Sequence, residues 1–250
     1  MSPSAIRRAR YWLGGGVAVV TVASITLGWL LWTGTVHANN PSTSSYPVRG
    51  VDVSGYQGAI DWPVLAGQGI QFAFVKATEG STFVDDHFAA NLAGANAAGL
   101  RVGAYHFFSF ESPGATQAEN VIRTVPADDL SLPVVVDLES YGEFGLNPAP
   151  TEDVHRELGV LLDRLSTAYG GRPVVYATAE SYDRYLAGSF PDVDIWIRDT
   201  WREPALSDGR AWTFWQFSDR HRLAGYAGQE PFIDLDVFAG SQAEWEAYGR

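Results

Sequence analysis

The chain predicts an α/β fold, a closed barrel of eight strands with helices packed outside. Three observations point there. Short runs rich in Val, Ile, Phe and Tyr recur eight times after residue 48. Helix-patterned segments separate the first six of them. The runs are almost continuously apolar, as in strands buried on both faces.

The strand runs are Gly50–Val53, Phe72–Lys76, Val102–Phe107, Pro133–Leu138, Pro173–Tyr176, Ile195–Ile197, Thr213–Phe217 and Ile233–Val237. Between the first two, Asp61–Gln68 opens on an acid, which suits a helix N-terminus. Asp85–Ala98 is rich in Ala and Asn and stops at Gly99, a C-cap signal. Pro113–Thr124 is the third helix. Thr151–Tyr169 begins Thr-Glu-Asp, repeats Val154, Leu158, Leu161, Leu162 and Leu165 at helical spacing, and ends at Gly170-Gly171. Ala179–Leu186 is a shorter fifth. The last three strand runs lie too close together for full helices. An open doubly wound sheet would require a phosphate loop after the first strand, and Val53-Ser54-Gly55-Tyr56-Gln57-Gly58 lacks the G-x-G-x-x-G spacing.

Residues 1–10 carry Arg7, Arg8 and Arg10, and residues 11–36 carry no charge. An apolar run of roughly 20 residues spans a bilayer as a helix. The arginines before it keep the N-terminus cytoplasmic and place everything after residue 36 outside. This reads as a transmembrane signal anchor at 11–36. The alternative is a signal peptide cleaved after Ala38, because Val36-His37-Ala38 resembles a small-x-small cleavage site. Residues 37–47 are polar, rich in Ser, Pro and Asn, and form a linker to a domain over 48–250. The chain has no cysteine, so neither a disulfide framework nor a Cys-ligated zinc is available.

The net charge is −12, and residues 41–250 hold 14 bases against 29 acids. That excess argues against nucleic acid or anionic lipid as partner of the domain, since both are polyanions. Neutral sugars remain permitted.

In an α/β barrel the C-terminal strand ends carry the site. Read there, the runs end in Asp52 and Ser54, Lys76 and Glu79, Tyr105-His106-Phe107, Asp137 and Glu139, Tyr176, Trp196, Arg198 and Asp199, Trp215-Gln216, and Asp234 with Asp236. Asp137 and Glu139 form the strongest pair. They close an apolar strand, and residues i and i+2 point to the same side. With Asp52 and Asp234 nearby, repulsion raises one pKa, so one carboxyl serves as a general acid at neutral pH. That is the two-carboxylate logic of glycoside hydrolysis. A competing reading pairs these acids with Lys76, Arg101 or Arg198, or with a metal. Tyr105, Tyr176, Trp196 and Trp215 are candidates to stack on sugar faces, and Gln216 and Glu79 to meet hydroxyls. Each aromatic could equally fill core. His106 reads as a packed, hydrogen-bonded histidine. Lys76, the chain's single lysine, reads as half of an ion pair with Glu79 or Asp52.

Six segments carry a resemblance. They are Gly50-Val51-Asp52-Val53-Ser54-Gly55-Tyr56-Gln57 with Ile60-Asp61-Trp62, Phe74-Val75-Lys76-Ala77-Thr78-Glu79-Gly80, Gly103-Ala104-Tyr105-His106-Phe107-Phe108, Val136-Asp137-Leu138-Glu139, Trp215-Gln216-Phe217 and Ile233-Asp234-Leu235-Asp236. In this order they resemble family 25 glycoside hydrolases, the N,O-diacetylmuramidase type of lysozyme, over about residues 48–240. The resemblance implies a TIM-like barrel of five β/α units followed by three strands with little helix. It implies cleavage of the β-1,4 bond between N-acetylmuramic acid and N-acetylglucosamine in peptidoglycan, with no metal or cofactor, and the chain is expected to act as a monomer. It implies Glu139 as general acid and Asp137 as its partner, orienting the 2-acetamido group or acting as base or nucleophile. Asp52 and Asp234 are the implied flanking acids. Two departures stand out: Arg198-Asp199-Thr200 where the family has a small residue and then an aromatic, and Asp236 where it often has Asn. A non-catalytic glycan-binding module, or a hydrolase of another N-acetylated polymer such as chitin, remains an alternative.

Overall fold

A computed structural model describes residues 20–249. Residues 20–32 form helix α1, whose Val22, Ile25, Leu27 and Trp29 are exposed. The arginines at 7–10 and the first part of the expected apolar span, 11–19, lie outside the described residues. Among the described residues, no helix is long and apolar enough to cross a membrane.

From Asn39 onward the chain forms one compact unit. Its strands are β1 (Arg49–Val53), β2 (Phe72–Glu79), β3 (Phe83–Val84), β4 (Arg101–Phe107), β5 (Val135–Leu138), β6 (Val174–Thr178), β7 (Asp194–Arg198), β8 (Phe214–His221) and β9 (Ile233–Phe238). Strand β1 pairs with β2 on one side and β9 on the other, so eight strands close into a barrel. The ninth, β3, is a short antiparallel addition beside β2 that sequence patterning does not signal. Neighbours from β1 to β8 run parallel, whereas β9 runs antiparallel to both β8 and β1.

Helices α2 (Trp62–Ala66), α3 (Phe88–Ala97), α4 (Gly114–Thr124), α5 (Thr151–Tyr169) and α6 (Ala179–Ser181) follow the first five parallel units. The last continues as a π-helical turn, Tyr182–Leu186. Asp61 caps α2 by accepting from the Val64 N–H at 3.3 Å. In α5 the five predicted apolar positions are all buried, Glu152 and Asp153 meet the positive end of the helix dipole, and Gly170 stops the helix with φ 71°. Gly114 lets α4 press on α5: a Cβ there would stand 1.9 Å from the Glu157 carbonyl oxygen. The connections after β7 and β8 hold no helix, as their lengths predict. A helix that was not predicted, α7 (Gln242–Ala247), follows β9. It starts with a capping box between Ser241 and Glu244.

Alternation along each strand divides the core in two. Val51, Val53, Ala73, Val75, Val102, Val136, Leu138, Val175, Ile195, Ile197 and Leu235 face the helices. Phe72, Phe74, Val135, Val174, Tyr176, Trp196, Phe214 and Phe238 fill the lumen. Phe74 stacks on Trp196 with centroids 4.7 Å apart, and Trp245 of α7 closes one end against Phe72 at 5.1 Å. Gly50 and Gly103 admit these rings. A Cβ at Gly50 would lie 2.2 Å from the Phe72 ring, and one at Gly103 2.6 Å from Phe74.

Candidate active site

The same alternation brings polar side chains to the upper lumen. Asp52 lies two residues beyond Gly50, Lys76 two beyond Phe74, Tyr105 two beyond Gly103, and Asp137 two beyond Val135. Strand β9 contributes differently from expectation. Because it is antiparallel, its beginning reaches the mouth, so Asp234 stands opposite Asp52, and Asp236 lies one step deeper, opposite Gly50. The reading that took both acids as a C-terminal strand end is corrected by this reversal.

Gln216 joins the parts. Its Nε2 donates to Asp52 Oδ2 at 2.8 Å and to Asp234 Oδ2 at 3.0 Å, while its Oε1 accepts from the Tyr176 hydroxyl at 2.9 Å. The Trp196 Nε1–H donates to Asp236 Oδ1 at 2.9 Å. Burial raises the pKa of Asp52, Asp234 and Asp236 well above the ordinary carboxylate range, and their mutual repulsion adds to it.

Asp137 is buried on β5, and its Oδ1 has no hydrogen-bond partner among the described residues. Burial raises its pKa well above normal, with repulsion from Glu139 next and Asp52 after that. Glu139, just beyond the strand, is half-buried at the rim. Its pKa is raised by burial and drawn back by Arg198 and Lys76. The charge on Glu139 thus helps to hold a proton on Asp137.

The other candidates separate. Tyr105 is half-buried among Asp52, Asp137 and Asp234. Tyr176 and Trp196 are buried and hydrogen-bond inward, so they brace the acids rather than offer a stacking face. Trp215 is placed away from the lumen, which corrects its reading as a sugar platform. It is 1% exposed, its Nε1 donates to the Asp199 carbonyl at 2.8 Å, and it packs edge-on to Tyr46 and Trp212. The cause is parity: β8 turns Phe214 and Gln216 inward and therefore Trp215 and Phe217 outward. Glu79 is held by Lys76 at 2.9 Å, one of the two expected partners, and Lys76 also lies over the Phe107 ring. His106 is packed as expected, between Thr78 Oγ1 at 2.8 Å and Gln117 Oε1 at 3.0 Å.

The profile of glycosyl hydrolases family 25 matches residues 51–226. The chain belongs to this family. A family 25 glycosyl hydrolase from Bacillus anthracis superposes with a TM-score of 0.81 and 49% identity, covering 86% of this chain and 98% of that one. The uncharacterized protein YegX of Escherichia coli K12 is 34% identical over 210 residues, 82% of this chain and 74% of its own. Lysozyme M1 of Streptomyces globisporus is 32% identical over 211 residues, 78% of this chain and 69% of its own. The chain is thus a family 25 glycoside hydrolase of the lysozyme type.

One rim residue escaped sequence reasoning. Asp219 grips Arg198 at 2.6 Å, and each side chain is about one-third exposed (34% and 35%). Asp219 lies where β8 is irregular, with register shifts on both sides of Ser218. Alternation counted from Gln216 fails there, and no apolar run marks the strand's extension.

Proposed function

We propose that this family 25 enzyme is an exported muramidase that hydrolyses the β-1,4 bond between N-acetylmuramic acid and N-acetylglucosamine of peptidoglycan. The observation that carries the reading is the Asp137–Glu139 pair: two interacting carboxyls with raised pKa values, one half-exposed at the rim and one buried with an unpartnered oxygen. Glu139 is the general acid. It protonates the glycosidic oxygen as the C1–O bond breaks. A buried acceptor without a donor is costly. The N–H of a bound 2-acetamido group would satisfy Asp137 Oδ1. Asp137 then aligns that group, whose carbonyl oxygen bonds to C1 as the leaving group departs. Water next attacks C1, the Glu139 carboxylate takes its proton, and the ring opens to restore the acetamide. Asp52, Gln216 and Asp234 form the floor on which the sugar rests, with Tyr105 beside it. The chain works as a monomer.

Export rests on Arg7, Arg8, Arg10 and the uncharged stretch 11–36. We read that stretch as an anchor holding the hydrolase on the outer side of the membrane, with cleavage after Ala38 as the competing outcome. Immunoblots of membrane and medium fractions separate the two by location and size. The activity is tested by the release of reducing ends from purified peptidoglycan by residues 41–250. Wild type should release muropeptides with reducing N-acetylmuramic acid, and Glu139→Gln almost none. Equal release by both proteins overturns the assignment. Turnover of chitin oligomers in preference to peptidoglycan would move the substrate to a different N-acetylated polymer.

A further inference from the structure

Asp236 is an acid in a place with no evident use for one. It is fully buried on β9, one step below the floor of the cleft, and touches no solvent. One of its oxygens, Oδ1, is held by the Trp196 indole at 2.9 Å. The other, Oδ2, receives no hydrogen bond among the described residues. A buried carboxylate oxygen left bare costs more than almost any other polar defect. The group facing it is another carboxyl. Asp52 and Asp236 project into the lumen from neighbouring antiparallel strands, with Asp236 directly across from Gly50, two residues before Asp52, and Asp234, directly across from Asp52, is the other carboxyl beside it. Two carboxyls can meet without repulsion only if a proton lies between them.

The geometry points to Asp236 as a positioning residue. It accepts a hydrogen bond from a proton-bearing Asp52 and so fixes the orientation of the Asp52 carboxyl toward the cleft. Asp52 then has one oxygen committed to Asp236 through its proton and Oδ2 committed to the Gln216 amide. A side chain tethered at both ends cannot turn, and a substrate meets a fixed polar edge. The surroundings are consistent with a stored proton. The titratable groups near the pair are Asp234 on β9 itself, Asp137 on β5, Tyr105 on β4 and Tyr176 on β6. Arg198 on β7 acts on Asp234, while Trp196 and Gln216 supply the neutral donors. Thus four aspartates share the space, among the described residues no cation is bonded to any of them, and a proton is the charge balance that fits. The inference rests on the muramidase reading only for its kinetic consequence, because the protonation state is measurable without turnover.

The test is aspartate carboxyl ¹³C NMR of the enzyme, with Asp52 and Asp236 assigned from Asp52→Asn and Asp236→Asn. Wild type should show the two titrating in separate, mutually dependent steps, with Asp52 still protonated at pH 7. In Asp236→Asn, the new amide donates to Asp52 while its oxygen keeps the Trp196 bond. Asp52 should then titrate once, at lower pH. The pH profile of kcat/KM should shift in the same direction, with kcat down about tenfold at neutral pH. An Asp52 fully ionised at pH 7 in wild type, or an Asp52 titration unchanged in Asp236→Asn, overturns the proposal. Should Asp236→Asn not fold, the wild-type titration assigned by Asp52→Asn alone decides it. A proton found in place in a protein inactive on peptidoglycan would keep this inference and sink the substrate assignment.

Discussion

Asp52 and Asp234 stand opposite each other across the antiparallel β1–β9 pair, and one amide nitrogen, Gln216 Nε2, donates to both. The floor of the cleft is therefore spanned from β6 to β9 by a relay of Tyr176, Gln216 and two acids, and it depends on a single neutral side chain.

Replacing that side chain should be costly in two distinguishable ways. Gln216→Leu leaves the Tyr176 hydroxyl without its acceptor and both acids without their amide donor, a loss of about 2–3 kcal/mol whose Tyr176 share persists in acid. Gln216→Glu keeps the acceptor for Tyr176 but adds a carboxyl beside two others. Its folded-state pKa would lie above its unfolded value of about 4.3. The penalty is then largest at neutral pH and fades as the pH falls toward that value. Urea unfolding at pH 7 and pH 4.5 separates the variants, with Gln216→Glu recovering more fully in acid than Gln216→Leu.

Asp137→Asn should be more stable and inactive. The folded-state pKa of Asp137 is raised, chiefly by burial. Between its unfolded value and that raised value, the native state binds more protons, so stability falls as the pH rises through the window. Asparagine removes the titration. At neutral pH a gain of about 1 kcal/mol is expected, which raises Tm by roughly 2–4 °C. Activity should drop about a hundredfold or more. Differential scanning calorimetry alongside reducing-end release checks both halves.

The residues show what was legible in sequence and why. The acids at the ends of β1 and β5 could be read because an apolar run has no other reason to finish in charge. Helix α5 could be read to the residue because its periodicity, acidic start and Gly170 agree. The direction of β9 could not, since hydropathy carries no sense of direction. Asp234 landed in the cleft for a reason opposite to the one inferred. Trp215 was misread because Thr213–Phe217 is apolar on both faces, so nothing in the pattern says which parity faces the lumen. Asp219 was invisible because the strand irregularity that aims it follows from three-dimensional pairing.

Gly50→Ala should destabilise the barrel through a clash with one identifiable side chain. The new methyl would stand 2.2 Å from the Phe72 ring. Overpacking of this kind costs about 1–3 kcal/mol. Phe72→Leu shortens the obstacle, so the double variant should be more stable than the sum of the two single changes predicts. A double-mutant cycle in urea measures the coupling, and additivity would place the strain elsewhere.

His106 sets an acid limit on folding. Gln117 Oε1 also accepts from the Ser109 N–H, so it acts as acceptor toward the ring, and His106 carries its hydrogen on Nε2 while Nδ1 accepts from Thr78. Burial lowers its pKa to about 4. Because the folded value is below the unfolded one, the neutral ring's contribution is complete above pH 6.5 and is lost as the pH falls toward 4. The loss is up to about 3 kcal/mol. His106→Gln is less stable at pH 7 but lacks this slope. The gap between the two proteins should narrow across that window in pH-dependent urea titrations.

Arg198 should set the alkaline limit of activity. It opposes the burial that raises Glu139, and Asp219 holds it in place at 2.6 Å. Removing the cation lets the pKa of Glu139 rise further. If Glu139 must be protonated to act, the alkaline limb of kcat/KM then moves to higher pH in Arg198→Gln. Arg202 provides the control: it lies just beyond Arg198 in the connection after β7, its side chain is 86% exposed, and its only ion pair among the described residues is with Asp199 at 3.6 Å. Arg202→Gln should leave the limb where it is, because solvent screens an exposed charge. A limb unmoved in Arg198→Gln would mean that a group other than Glu139 delivers the proton. A limb moved equally by both variants would reflect the enzyme's overall charge acting on a charged substrate.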